Sequence, residues 1–577
     1  MNTLKLDVSA RRRVSVVIVG SGIAGTWLGL KLVRAGVDTL IVHYSGSDRG
    51  GTMGSSIRSV GAINTSPLDR SDFHEFMEQL GQGQHHPSVI DMLTRYLPEE
   101  IEEIRSLGEF KRIKLGIALQ SESAGPFLEK LHARFKSLGG QMLDAWVTRI
   151  VADQRECRGL QYQSGSLIGG IEAGAIVLAC GGYAGIFDGS VKTNNYGTLL
   201  GRFLEAGGLA TNLEFVFKHG YGKPDLGALT PTEELPGAQV YDEQGTHVHW
   251  LERELYEGRG TANHLEAFRH WRRHRDHHFF IDMGYRPLYD RVMELNVAIE
   301  SANQQALELS VQGLADMSRA EARLRMIEKL RQWVAQSTKV DFEKFLELKP
   351  LIAVPDKTKV FRVRQIAYFS MGGIAHLSCA TNLANVYVTG EAMHDFGAHR
   401  VGGLPWGLYL AAGRVIGDNL IQRWREGQLS PRGGFEVLEK HCSFDASMLQ
   451  SIRAGLYQYQ EHNFCVSDAR RFVAWLRQSR RDVRRRTETL SDAVAWLIVA
   501  EAIMQSSLRR VESRGCFYRG DHPVVSEHLT DFFSCAYYDA DADVVDANLV
   551  RSAELKSLIT SEQPMLNERN ELHAVVG

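Results

Sequence analysis

The chain has 577 residues, with Lys+Arg 66 against Asp+Glu 69 and a formal net charge of −3. Hydrophobic residues make up 44% and charged residues 23%, which excludes a collagen-like, low-complexity or disordered chain and leaves ample material for large cores. The near-balanced charge gives no argument for a nucleic-acid partner, and no apolar run approaches the ~18 residues that a membrane helix needs.

The longest apolar run, Ala495–Met504, is broken by Glu501. Seven scattered cysteines, Cys157, Cys180, Cys379, Cys442, Cys465, Cys516 and Cys535, form no CxxC pair. Their odd number and spacing argue against a disulfide framework and against an iron–sulfur cluster within this chain. At the N-terminus the basic patch Arg11–Arg13 precedes the apolar run Val14–Val19. That run is too short for a secretory signal, so it is read as a first β-strand, and a cytoplasmic protein is expected.

Val14–Val19 is β-branched, as a central parallel strand would be, and meets Gly20-Ser-Gly22-Ile23-Ala24-Gly25. A helical pattern with Leu28, Leu32 and Ala35 follows, closed by Gly36, and Thr39–Val42 reads as a second strand. Strand, G-x-G-x-x-G, helix and strand within about 30 residues form the context that a dinucleotide fingerprint requires. Gly20 would make the tight turn, Gly22 would let backbone approach a pyrophosphate, and Gly25 would let helix and strand pack closely. The acidic ribose ligand expected after the second strand is absent, since His43-Tyr44 stands there. FAD and NAD therefore both stay open at this point.

Three further segments favour FAD. Gly54–Ile63, with Ser55, Ser56 and Gly61, offers small residues past which backbone can approach a planar ring. Ala175–Gly185 reads as a buried strand ending in Ala179, Gly181 and Gly182. Asn385–Glu391 reads as a strand ending in Gly390-Glu391, followed by Gly403-Leu404 and a helix running to Leu420. A carboxylate placed like Glu391 can accept from both hydroxyls of a ribose. The helix N-terminus beyond it can stabilise negative charge on a reduced flavin.

With these segments in view the chain resembles the flavoprotein subunit of succinate dehydrogenase and fumarate reductase, and especially L-aspartate oxidase, over roughly Val14–Pro523. Asn212-Leu-Glu-Phe-Val-Phe-Lys-His219 is similar to the family's L-E-F-V-Q-F-H-P-T, and Ala367-Tyr-Phe-Ser-Met-Gly-Gly-Ile374 to its A-H-Y-x-x-G-G-V. Gly397-Ala-His-Arg400 resembles G-A-N-R, and Arg510-Val-Glu-Ser-Arg-Gly515 matches R-x-E-S-R-G. The resemblance implies an α/β fold: a Rossmann-like FAD-binding domain in two parts (1–220 and 355–425), an inserted α+β capping domain (221–354) and a C-terminal helical domain (426–530). The strand-like run Phe279–Met283 and the helical stretch Val292–Val334 suit the capping unit. Phe444–Gln460, Ser467–Arg480 and Leu490–Arg510 carry apolar residues at helical spacing. Residues 531–577 fall outside the resemblance and read as a peripheral extension.

The family attaches FAD through a histidine in some members, and Ser55 stands at that position, which implies noncovalent FAD. Arg400 matches the family arginine that holds a substrate carboxylate, and His219 the histidine that touches the same substrate; a structural ion pair and a core histidine are the alternatives. The second family histidine is Tyr368 here. The family's R-G-E-G, whose arginine shuttles protons, aligns with Glu234-Leu-Pro-Gly237. Loss of that cation changes the charge preference of the pocket and disfavours plain succinate, fumarate or aspartate turnover. Glu234 and Tyr368 are the candidates for proton transfer; a loop in which neither reaches the flavin is the alternative.

Between His264 and His278 five histidines alternate with arginines, His270 and His274 being four apart. The arginines repel a cation, so a basic face is preferred to a metal site, and no metal is expected. The run Arg480–Arg486 reads as a solvated helix end. The expected protein is an FAD-dependent oxidoreductase that oxidises a small carboxylate-bearing amine or N-substituted amino acid. Oxygen or another acceptor would take the electrons, and a role in specialised metabolism and a homo-oligomeric state are compatible with the sequence. A dicarboxylate dehydrogenase or reductase, or an electron-transfer subunit with an iron–sulfur partner, are the rival readings.

Overall fold

The computed structural model describes residues 7–44, 62–113, 116–120, 124–153, 156–190, 195–223, 228–229, 239–241, 279–282, 360–399, 403–431, 434–438, 442–462, 464–486 and 490–560. The expected helices of Val292–Val334 and the histidine-rich run 264–278 lie outside them.

The β-branched run near the N-terminus forms β1 (Asp7–Val19), with Val16, Val17 and Ile18 wholly buried. It is flanked by parallel partners on both sides: β2 (Thr39–His43) pairs Val17 with Leu40, and Leu167–Leu178 pairs Val17 with Ile176. Helices cover such strands on both faces, so their side chains are apolar without alternation. The sheet continues outward through Val386–Val388 on one side and Gln141–Asp144 on the other, both parallel, and reaches nine strands. Helix α1 (Ile23–Arg34) packs against the 22-residue helix Leu404–Arg425, burying Trp27, Leu28 and Leu32.

A second, antiparallel sheet is centred on Val216–Lys223 and Val360–Ser370 and takes in the expected strand Phe279–Asp282. It carries His219 and Tyr368. The architecture is thus a mixed α/β chain with an FAD-type sheet domain and a C-terminal helical region. The helices of that region run Ala446–Leu456, Val466–Arg486 and Asp492–Arg509, with a π-helical turn at Tyr457–His462.

Two expectations are corrected. Residues 531–560 are no peripheral extension: Phe532–Asp539 pairs with both Ala210–Thr211 and Val544–Arg551, and Phe533, Cys535 and Val550 join Leu209 and Ala375 in one apolar cluster. The strands are hard to read locally because an acidic, polar turn, Ala540–Asp543, joins them and polar residues such as Ser534, Asp546 and Asn548 interrupt the apolar ones. The run Arg480–Arg486 is not wholly solvated either. Arg480 is fully buried, and its Nη1 pairs with Glu501 at 2.5 Å and its Nε with Asp543 at 2.8 Å. Glu501, the charge that interrupts the longest apolar run, is buried because Arg477 and Arg480 neutralise it.

Candidate active site

The crevice lies where β1, Leu167–Leu178 and Val386–Val388 end side by side. Gly20 turns with φ +114°, and a Cβ on it would sit 2.2 Å from Ala179 O. A Cβ on Gly25 would sit 2.1 Å from Gly20 O, so the turn and α1 interlock only with glycine at both places. Gly22 is the opposite case: nothing lies within 4 Å of its missing Cβ. It caps α1 in extended conformation with no side-chain cap and no acid in the first turn, leaving the helix N-terminus open to an anion. Ile23 and Ala24 are buried behind it. Ser21 O accepts from Thr26 Oγ1 (3.0 Å) and from His132 Nε2 (2.8 Å). Burial holds the His132 ring below its ordinary pKa, so it sits there as a neutral donor.

The other two glycine segments meet beside this turn. Ala179 N donates to Val19 O at 2.9 Å. A Cβ on Gly182 would lie 1.7 Å from Ser370 Oγ and 2.9 Å from Glu391 Oε1, while Gly181 turns with φ +78°. Glu391 is buried, and its Oε1 accepts from Ser370 N and Ser370 Oγ, both at 3.1 Å. Its carboxylate is therefore fixed, with one oxygen already engaged. Gly390 turns against Ala24, and Thr389 just before it is wholly buried with no partner for Oγ1. Gly403, φ +81°, caps Leu404–Arg425, whose first turn carries no acid but has Pro405. Trp406 in that turn is 7% exposed and its Nε1 has no partner. Orphaned buried polar atoms call for an explanation, and two of them at the end of this crevice, with an open helix N-terminus, suit a polar dinucleotide.

Ser55, Ser56, Gly61, Glu234 and Arg400 lie outside the described residues. His219 is in the strand Val216–Lys223, paired with Ile366, but its side chain is outside what is described. Tyr368 lies in the neighbouring strand. The register passes from Phe217↔Phe369 to Lys218↔Ala367, so Tyr368 is the extra residue of a β-bulge. The bulge brings the rings of Tyr368 and Phe369 to 3.9 Å, whereas neighbours on a regular strand face opposite ways. Phe217 reaches Tyr368 (6.0 Å) and, from the other side, His399 (5.4 Å), one residue before position 400. The strands bearing His219 and Tyr368 thus meet the segment that ends at His399.

Phe217, Ser370, Thr389 and His399 were not singled out in the sequence. All four sit inside quoted segments, and for Phe217 and His399 departure from the family pattern is the available signal. The R-x-E-S-R-G motif proves to be a buried lock. Arg510 binds Glu214, Glu512 (2.9 Å), Gln84 (3.0 Å) and Asn212 (3.1 Å). Arg514 grips Glu512 in bidentate fashion, at 2.8 and 2.9 Å, and donates to Gln82 O. Cys516 N donates to Ala398 O, which steadies the segment ending at His399. Glu512 is held below the usual carboxylate range: burial opposes this, and the Arg514 and Arg510 guanidinium groups outweigh it.

Beside the lock, His86, His376 and His394 are buried together, the first two stacked at 3.9 Å. Each donates from Nε2 to a carbonyl: His86 to His376 O, His376 to His394 O and His394 to Gln84 O. Each accepts at Nδ1, from Ser88 N, Cys379 N and Thr211 Oγ1 respectively. Burial pushes His376 down to about 4 and His394 to about 3, so these are neutral structural imidazoles. Among the described residues no group of three or more His, Cys, Asp or Glu could hold a metal ion, and no helix is long and apolar enough to cross a membrane.

Residues 15–144 match a family model described as FAD binding domain, and residues 481–562 one described as fumarate reductase flavoprotein C-term. The second match runs well past the point where the sequence resemblance was taken to end. No curated protein matches the chain. Among solved structures, a variant of the E. coli quinol fumarate reductase FrdA is similar with TM-score 0.65 and 16% identity, over 94% of this chain and 97% of that one. The Mycobacterium smegmatis Sdh1 complex gives TM-score 0.64 and 15% identity, over 94% of both chains. Adenylylsulfate reductase from Archaeoglobus fulgidus gives TM-score 0.64 and 13% identity, over 95% of this chain and 97% of that one.

Proposed function

We propose that this chain, an FAD-dependent oxidoreductase of the succinate dehydrogenase/fumarate reductase flavoprotein kind, oxidises a small carboxylate-bearing amine or N-substituted amino acid in the manner of an aspartate oxidase. The carrying observation is the convergence beside the crevice. The strand with Tyr368 also supplies Ser370, which holds Glu391, and its paired strand supplies His219. The segment leading to Arg400 meets Phe217 through His399.

FAD, when bound, would supply a two-electron acceptor for oxidising the amine to C=N, with oxygen or another acceptor taking the electrons onward. The α1 N-terminus at Gly22 would hold the pyrophosphate, and Glu391 and Thr389 would serve the ribose. The cofactor is held noncovalently, since Ser55 offers no imidazole. Arg400 pairs with the substrate carboxylate and orients it, with His219 beside it. Glu234, or Tyr368 re-aimed by its bulge, serves in proton transfer at the amine. The protein works in the cytoplasm, and a homo-oligomer is compatible with this reading.

Anaerobic bleaching of the flavin by a panel of amino acids, N-substituted amino acids and dicarboxylates tests the proposal. Amines should bleach it fastest, and Arg400→Leu should abolish bleaching while the protein stays yellow. Fastest bleaching by succinate would replace this reading with that of a dicarboxylate dehydrogenase. Bleaching that persists in Arg400→Leu would remove the carboxylate assignment.

A further inference from the structure

Three positions far apart in the chain depart from the family motifs in the same direction. Phe217 stands where the L-E-F-V-Q-F-H pattern has glutamine, Tyr368 where A-H-Y has histidine, and His399 where G-A-N-R has asparagine. Phe217 puts a ring without hydrogen-bonding groups in place of an amide, Tyr368 a larger phenol ring in place of an imidazole, and His399 an imidazole ring in place of an amide. The fold brings all three together. Phe217 lies between His399, at 5.4 Å and 34°, and Tyr368, at 6.0 Å and 51°, and Phe369 extends the row at 3.9 Å from Tyr368. Phe217, Tyr368 and Phe369 are only half-buried, whereas His399 behind them is 3% exposed. Two of these partly exposed rings lie on the strand whose Ser370 holds Glu391, and they present apolar surface there. The β-bulge at Tyr368 spends backbone pairing to hold it there.

We infer that this row is a wall for the substrate's side chain, and that the substrate carries an aromatic or similarly bulky apolar group on its carboxylate-bearing head. The inference rests on the function proposed above and names the substrate class of that site. An aryl group seated on three rings removes apolar surface from water and adds offset or edge ring contacts. A second carboxylate in the same place would lose its hydration against the negative faces of the rings with no donor gained from them. The wall therefore selects against dicarboxylates as well as for aryl groups.

Two arms on the full-length yellow holoenzyme separate this inference from the function it rests on. The first arm reads binding without turnover, as the perturbation of the flavin absorbance by 3-phenylpropionate and by succinate. The aryl monocarboxylate should half-saturate at a concentration at least about tenfold lower, and Phe217→Gln should erase that advantage while the flavin content and Tm stay unchanged. The second arm reads anaerobic bleaching by phenylalanine, N-benzylglycine, alanine and aspartate, all α-amino carboxylates, the second of them N-substituted. The two aryl amines should have kcat/KM at least about tenfold higher, and Tyr368→His should narrow the ratio. Tighter binding of succinate, or an advantage untouched in Phe217→Gln, overturns the wall even if an amine is oxidised. Aryl binding with no bleaching by any amine leaves the wall standing and overturns the proposed reaction instead.

Discussion

At the nucleotide crevice the chain presents backbone, whereas at the ring wall it presents side chains. Gly20, Gly25 and Gly182 let turns approach one another to distances that no Cβ would survive, and Glu391 is held in place by the backbone N–H and hydroxyl of Ser370. Beside it, Phe217, Tyr368 and His399 come from three segments and meet only through a bulged strand pair and a loop pinned from below by Cys516. The first kind of site tolerates almost no change of residue at the close contacts. The second can be re-lined one side chain at a time while the frame stays the same. A backbone cradle that admits almost no change and a side-chain wall that can change coexist in one fold in this way, and fold likeness at 13–16% identity therefore speaks to the architecture and not to the substrate.

The sharpest way to break this comparison is inside the glycine turn. Gly25→Val puts side-chain atoms onto Gly20 O and should abolish flavin binding and lower the Tm of the apoprotein together. Gly22→Ala meets only open space in the protein, so it should leave the apoprotein Tm unchanged and weaken FAD by about tenfold, roughly 1.4 kcal/mol, if a phosphate fills that space. Flavin absorbance after gel filtration and differential scanning fluorimetry of the apo form read the two effects separately. Equal behaviour of the two variants would mean that the space at Gly22 is not the cofactor's.

The next test lies in the lock under the wall. Arg510→Leu leaves Glu214 and Glu512 buried without their shared cation, which should cost about 3–5 kcal/mol in chemical denaturation. FAD should still bind at low temperature, because no atom of the lock touches the glycine turns. Loss of the flavin at a temperature where the variant is folded would show that crevice and wall are one mechanical unit.

How legible each region was follows from the same contrast. A glycine turn between a β-branched strand and a helix is local, so the crevice could be read within 30 residues, and Gly181, Gly182, Gly390 and Glu391 could be added from similar local cues. The wall could not. Phe217 and His399 are 182 positions apart, and the bulge that turns Tyr368 toward them exists only as a register shift between two strands. Arg510 and Glu214 illustrate the same limit: both stood in recognised motifs, yet only the fold shows that the motifs bind each other. The strands 532–551 were lost for a different reason, a polar turn that looked like a tail.

Acid should weaken the buried histidine cluster beside the lock. His376 and His394 titrate at about 4 and about 3 in the folded protein against an ordinary value of 6.5, so the unfolded chain binds more protons over that interval. Stability is then full above about pH 6.5 and falls as the pH drops through 6.5 toward 4. The Tm measured from pH 7.5 to 4.5 should decline more steeply in the native chain than in His394→Gln, which keeps a donor for Gln84 O but cannot titrate. Parallel slopes would assign the acid sensitivity to other groups.

The smallest expected effect is also the most discriminating one at the crevice. Thr389 Oγ1 is buried with no partner, so Thr389→Val removes an unsatisfied hydroxyl while keeping the shape of the side chain. In the apoprotein that change should be neutral or stabilising by up to about 1 kcal/mol. If the hydroxyl serves the cofactor, the same variant should bind FAD a few-fold more weakly, so that the two effects have opposite signs. Titration of the apo form with FAD, followed by protein fluorescence, measures the second, and urea denaturation of the apo form the first. A variant that gains in both would show that the orphaned hydroxyl belongs to the packing behind the crevice, and would leave Gly22 and Glu391 as its polar contacts.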